Sequence, residues 1–161
     1  MKKQILHGLF LVVLIIGCGP PFEPKQLENP EFFQKAMQNL SDIVVYDIFS
    51  PPVASRVYLY PTIAAYEILA QSMPEKYNSL SGQIAHLPSI PKAEDENISP
   101  HMAALYAFNR VGKELIFSED KITQFQESFE MELKEIGVPK ALKANSKKFG
   151  IKVAEHIMMW A

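Results

Sequence analysis

The sequence predicts an all-α fold, a helical bundle of about five helices. Two observations carry this. Apolar residues recur at spacings of three and four over most of the chain, and no strand-like alternation of any length occurs. Helix-start and helix-stop residues also fall where the apolar periodicity begins and ends. The 161 residues suffice for one compact domain, and 48% hydrophobic with 21% charged residues is ordinary globular composition.

The first helix is expected to start at Asn29-Pro30, a cap residue followed by proline at the first helical position. Phe33, Met37, Leu40, Val44 and Ile48 form its inward stripe, and it ends before Pro51. Ser50 is placed to cap a second helix, with Pro51 and Pro52 in its first turn and an end near Gln71. Pro61 lies inside that helix and removes one backbone hydrogen bond, so a kink or a break is expected at Tyr58 to Pro61. A long connection follows from Ser72 to Pro100, with Pro74, Pro88 and Pro91 and the acidic run Glu94 to Glu96. Loops of this length are functional, disordered or packed over another surface.

The third helix starts at Ser99-Pro100 and carries Met102, Leu105, Tyr106, Val111, Leu115 and Ile116. Ser118 is expected to cap the fourth, with Glu119 and Asp120 in its first turn, where the helix dipole favours them. Ile122, Phe125, Phe129, Leu133 and Ile136 form its stripe, and Gly137 ends it. Glu127, Glu130 and Lys134 mark its solvent face. Pro139 opens the fifth, with Leu142, Phe149, Val153, Ile157 and Trp160 inward. The chain stops in His-Ile-Met-Met-Trp-Ala, with no capping residue or polar tail, which gives it the look of the N-terminal part of something longer.

The first residues read as an export signal. Lys2 and Lys3 precede the apolar run Ile5 to Ile16, which is too short to span a bilayer, and residues 1–17 are taken as a signal peptide. Gly17 before Cys18 resembles a bacterial lipobox, which implies lipidation of Cys18 and anchoring to the membrane of the cell envelope. Cys18 is the one cysteine, so no internal disulfide is available. Residues 18–29, rich in proline and polar groups, look like a tether, and 30–161 form the helical region. Removing Lys2 and Lys3 from the 16 basic residues leaves 14 against 18 acidic ones, a net charge of −4. This is no footprint of a nucleic-acid partner.

The stretch Ser41 to Glu67 is the most unusual, because Asp42, Asp47, Arg56 and Glu67 sit inside two apolar helices. Charges in such places are paired or serve a site. Arg56 has two readings: an ion pair with Asp47 or Glu67 across the Ser-Pro-Pro turn, which the nearby carboxylates favour, or the lining of an anionic pocket completed by other segments. Tyr46, Tyr58, Tyr60 and Tyr66 are expected as core aromatics.

Asp47 to Arg56 (DIFSPPVASR), Ile63 to Glu67 (IAAYE), Tyr77 to Gln83, Ala103 to Asp120 and Glu135 to Pro139 resemble the N-terminal region of bacterial lipoproteins related to vanadium-dependent haloperoxidases and type 2 phosphatidic acid phosphatases. The resemblance implies an incomplete part of a larger all-α enzyme fold that holds an oxyanion, vanadate in a full-length haloperoxidase. It also implies a C-terminal helical region as the structural partner of this segment. In the family, the anion is held by a lysine with Arg-Pro downstream, a Pro-Ser-Gly-His loop, and a final arginine followed by a histidine. None of these stands here: Arg56 and Arg110 are each followed by valine, and Ser81-Gly82 is followed by Gln83. No catalytic, cofactor-binding or metal residue is therefore assigned. His86, His101 and His156 are isolated and read as surface or satisfied histidines. The alternative is a stand-alone helical envelope lipoprotein that binds a protein partner, with the apolar face of the last helix covered. The fragment reading expects an exposed patch at Ile157, Met158, Met159 and Trp160.

Overall fold

The computed structural model describes residues 21–161; the expected signal peptide, 1–17, and Cys18 lie outside the described residues. Five α-helices make the bundle: α1 (Glu31–Tyr46), α2 (Pro51–Ser72), α3 (Pro100–Glu114), α4 (Glu119–Glu135) and α5 (Lys140–Trp160). No strand occurs among the described residues. A short 3-10 turn, Pro24–Glu28, precedes α1 and buries Leu27 in the core, so the stretch expected as a tether is in part docked.

The local signals act as their chemistry requires. Asn29 Oδ1 accepts from the Glu31 N–H at 3.0 Å, and Ser99 Oγ accepts from the Met102 N–H at 3.3 Å. Gly137, at φ 76°, closes α4 in a Schellman arrangement: Val138 N–H donates to Leu133 O at 3.0 Å, and Gly137 N–H to Lys134 O at 3.1 Å. Ser50 and Ser118 occupy cap positions, but neither side chain accepts a cap hydrogen bond, contrary to the expectation that they would.

Two expectations are corrected. Of the kink or break expected at Pro61, the break does not occur: α2 runs 22 residues from Pro51 to Ser72. The Pro61 ring is buried, and beside it Thr62 Oγ1 donates to Tyr58 O at 2.7 Å. Ile48 is not an inward residue of α1. The helix ends at Tyr46, and Ile48 turns out at φ 55° with 88% of its surface exposed.

The core forms around α3. From Met102 to Asn109 every residue is buried, and Val111 and Gly112 follow. Its largest interfaces are with α5 and α2, while α1 and α4 cover the remaining side. The sequence provides small residues where the backbones approach: Ala103, Ala104 and Ala107 are almost wholly buried. Gly150 of α5 lies against them so closely that an added Cβ would stand 2.4 Å from Ala103 O and 2.9 Å from Tyr106 Cβ. Asn109 is buried in the same helix, and neither polar atom of its side chain meets a protein partner. Larger rings fill the wider gaps, with Phe33 on Phe108 at 5.0 Å and Phe32 on Phe129 at 5.6 Å between centroids.

The connection from Ser72 to Pro100 is packed, not free. Leu87 and Ile90 are buried, and Ile84, Leu80 and Ile98 rest against the core. The last turn of α5 is largely covered as well. Ile157 is fully buried, Trp160 Nε1 donates to Ala85 O at 3.3 Å, and its ring meets Tyr60 edge-on at 5.8 Å. The exposed patch expected there reduces to Met159.

Gly150→Ala tests the α3–α5 approach. A backbone carbonyl cannot move aside as a side chain does, so the substitution is expected to cost about 2–3 kcal/mol despite alanine's better helix propensity. Gly112→Ala, which would meet only flexible atoms of Ile122 and Leu40 at 3.3 and 3.4 Å, is expected to stay within about 1 kcal/mol of the wild type. Urea unfolding of the two variants gives the comparison.

Candidate functional site

The charged residues of Ser41 to Glu67 do not come together. Asp47 sits at the turn between α1 and α2 and reaches across to α4. It accepts from the Phe117 N–H at 2.9 Å, from the Ser118 N–H at 3.2 Å and from the Ser118 hydroxyl at 2.5 Å. Ser118 therefore gives its hydroxyl to Asp47 instead of capping its own helix, and the carboxylate of another segment satisfies the start of α4. Burial pushes the Asp47 carboxyl up. The Ser118 hydroxyl, the Phe117 and Ser118 N–H groups and the nearby Lys121 ammonium outweigh it and hold the carboxyl below its ordinary value.

Glu67 is 1% exposed and faces the long connection. Its two oxygens accept from the Ser79 hydroxyl and from the Leu80 N–H, each at 2.6 Å. One residue earlier, the Tyr66 hydroxyl donates to Asn78 O at 2.9 Å. Two adjacent side chains of α2 thus fix the fold-back of residues 78–80. Glu67 is an anchor for a loop, and a buried carboxylate with both oxygens bonded is stable in that role.

Arg56 pairs with neither. Its side chain is exposed on the first half of α2, and among the described residues it makes no ion pair. The expected pair fails because each carboxylate is already engaged: Asp47 points to α4, and Glu67 lies inward, three turns farther along α2. Of the four tyrosines, Tyr58 and Tyr60 pack against the core, whereas Tyr46 is 64% exposed with Lys121 Nζ 4.0 Å from its ring centre.

A polar network not foreseen from residue spacing lies between α3, α4 and α5. The Tyr106 hydroxyl donates to Glu130 Oε1 at 2.9 Å, and Lys143 and Lys147 meet the same carboxylate at 2.8 and 3.1 Å. Burial, and then Glu130, push the Tyr106 phenol up, while Glu130 is held low by the two lysines and Tyr106 against the effect of burial. Glu130 was expected on a solvent face beside Lys134; it turns instead to α5. This network borders an open groove lined by Arg110, Lys113, Gln126 and Ile151. Its cations are already matched, Arg110 by Glu114 and Lys113 by Glu119. On the other side of α5, Lys152 and Lys148 grip Glu94 of the acidic run and hold it at about 2.

None of these places gathers the donors that an oxyanion needs. The two arginines are on separate helices, one exposed and one paired. His86 lies exposed in the connection at φ 60°, and His101 and His156 are on α3 and α5. No group of three or more histidine, cysteine or acidic side chains able to hold a metal ion occurs among the described residues. The arrangement is that of a scaffold whose polar groups fasten loops and turns.

The Asp47 junction has a pH signature. A carboxylate with a lowered folded-state value stabilises the fold fully above its ordinary value of 3.8, and that stability is lost as pH falls through the lowered value. Asp47→Ala is expected to cost about 1–3 kcal/mol at neutral pH. Its deficit relative to the wild type should be constant down to about pH 4 and narrow below it, as read from urea midpoints across that range.

Comparison with known proteins is consistent with that arrangement. No family model matches the chain, and no curated protein matches it. Among solved structures, it is similar to a bacterial vanadium-dependent iodoperoxidase, with 39% sequence identity and a TM-score of 0.76. The match covers 81% of this chain and 31% of the iodoperoxidase. The five-helix bundle therefore corresponds to a part, less than a third, of a larger haloperoxidase chain.

Proposed function

We propose that this chain is the N-terminal scaffold segment of an exported lipoprotein of the vanadium haloperoxidase or acid phosphatase kind, inactive alone. The observation that carries the proposal is the match itself: 39% identity and a TM-score of 0.76 over 81% of this chain, against 31% of the iodoperoxidase. Identity at that level, sustained over most of the bundle, goes beyond a shared arrangement of helices. The leader and Cys18 support export and a lipid anchor in the cell envelope.

Vanadate does not fit the residues present. An oxyanion of its charge requires several converging cations or N–H groups. Here Arg56 stands by itself and Arg110 is bound to Glu114. No step of halide oxidation or phosphate-ester hydrolysis is therefore placed on these side chains. Their role in this reading is mechanical: α3 enclosed by four helices, with the long connection clamped to Glu67.

One observation favours the alternative of a stand-alone envelope protein that binds a partner. The apolar end of α5 is covered by the chain's own connection and by α2, through Trp160 on Ala85 and on Tyr60, as that alternative expects.

The purified chain, supplied with vanadate, halide and hydrogen peroxide, or with a phosphate ester, is expected to show no turnover above a heat-denatured control. Clear turnover in either assay, abolished by mutation of this chain, would overturn the scaffold reading.

A further inference from the structure

We propose that the corner formed by the end of α1, the start of α2 and the α3–α4 turn is a docking surface for an apolar, acid-bearing polypeptide face supplied by the part of the peroxidase-type fold outside the matched segment. The proposal rests on the scaffold reading above and adds to it the place of contact and the chemistry of what covers it.

Four observations converge there. Of nine large apolar side chains exposed in the described residues, five are at this corner: Val45, Tyr46, Ile48, Val53 and Phe117. The α1–α2 turn that carries four of them is held to the fifth by the Asp47 carboxylate, which binds the backbone of Phe117 and Ser118, and by Phe49, whose ring lies 4.9 Å from that of Phe117. Apolar surface gathered in this way marks an interface, whereas single exposed residues do not.

The second observation is the backbone of Ile48. A β-branched residue at φ 55° is strained, and with 88% of its surface in water it gains no burial in return. Glycine or asparagine would fit the turn at less cost. The side chain is explained by a contact outside the described residues.

The third is Arg56. It lies next to Val53 along α2, exposed and without an ion pair among the described residues. A cation beside an apolar surface selects a partner that presents a carboxylate.

The fourth is position, and it separates a polypeptide from a bilayer. Phe22 lies beside Gly137, at the opposite end of α4 from Phe117. At 1.5 Å per residue the 17 residues of α4 place those ends about 25 Å apart. Cys18 is four residues before Phe22, a reach of about 14 Å at full extension. A lipid group on Cys18 would therefore be attached nearer the far end of α4 than the corner, whose contact is then better sought in polypeptide than in the bilayer. The iodoperoxidase, of which the match covers 31%, supplies the polypeptide that such a corner would meet.

The test is a chimera in which this chain replaces the matched segment of the solved iodoperoxidase, compared with this chain alone. In the chimera, Ile48→Glu and Phe117→Glu are each expected to lower the melting temperature by several degrees, and Arg56→Glu to lower it further than Arg56→Ala. In the chain alone, Ile48→Glu and the two Arg56 variants should leave the melting temperature unchanged, because those side chains are already in water, and Phe117→Glu, whose ring meets Phe49, should lower it less than in the chimera. Met131→Glu, at an exposed apolar residue outside the corner, should be silent in both. A chimera that folds and tolerates every corner substitution would overturn the docking surface and leave the scaffold reading intact. A chimera that does not fold would overturn the scaffold reading, and the docking surface with it. If the chain alone sediments as a dimer that Ile48→Glu converts to a monomer, the corner is a contact between two copies, and the proposed occupant is wrong.

Discussion

Gly150 lets α5 approach the backbone of α3 where any side chain would collide with Ala103 O, and the bundle is organised by that closeness. A helix buried on all sides needs neighbours on all sides. Alanines 103, 104 and 107 bring α3 near its partners, and Phe108, Leu105 and Met102 fill the space beyond the reach of small residues. Dense packing of this kind tolerates little change in volume. The other four helices take their positions from it, and what remains at the periphery is fastening.

The fastening is polar and mostly intersegment. Glu67 holds residues 79 and 80, Asp47 holds residues 117 and 118, and Glu130 joins α4 to Tyr106, Lys143 and Lys147. Each carboxylate reaches across at least ten positions of sequence to backbone N–H groups, hydroxyls or ammonium groups. Such bonds fix the shape of turns, and they consume the charged groups that would otherwise be candidates for chemistry. Arg56 is left over, beside apolar side chains that the fold leaves in water.

Much of the architecture was legible because its signals are local. Ser99-Pro100 and Gly137 mark helix ends through their own geometry, and the apolar stripes of α4 and α5 point where their spacing says. The misreadings have a common physical source. Pro61 suggested a kink or a break because its missing N–H is a local property, whereas the burial of its ring inside a continuous helix is set by the tertiary fold. Arg56 was matched to the carboxylates nearest in sequence, but Asp47 and Glu67 had better donors in segments brought near only by folding. Ile48 fitted the spacing of α1, yet the helix ends two residues before it. The Tyr106–Glu130 network left no trace in the sequence, since Glu130 has the spacing of a surface residue and its lysines are on another helix. Signals of family survived where signals of chemistry did not: the resemblance carried in residues 47–67 and 103–120 agrees with the structural similarity to an iodoperoxidase, and the anion-binding residues implied by that resemblance are not among these side chains.

A scaffold centred on α3, with the start of α2 largely exposed, predicts an ordered pattern of backbone opening. Amide hydrogen exchange on the folded chain reads that pattern directly, since each protection factor reports the free energy of the opening that exposes the amide. The amides of Ala103 to Gly112 are expected to exchange slowest, at the rate set by global unfolding, and those from Ile48 through the first turns of α2 fastest among the helical and turn segments. If α3 exchanges as fast as the start of α2, the enclosed helix is not the element on which the fold depends.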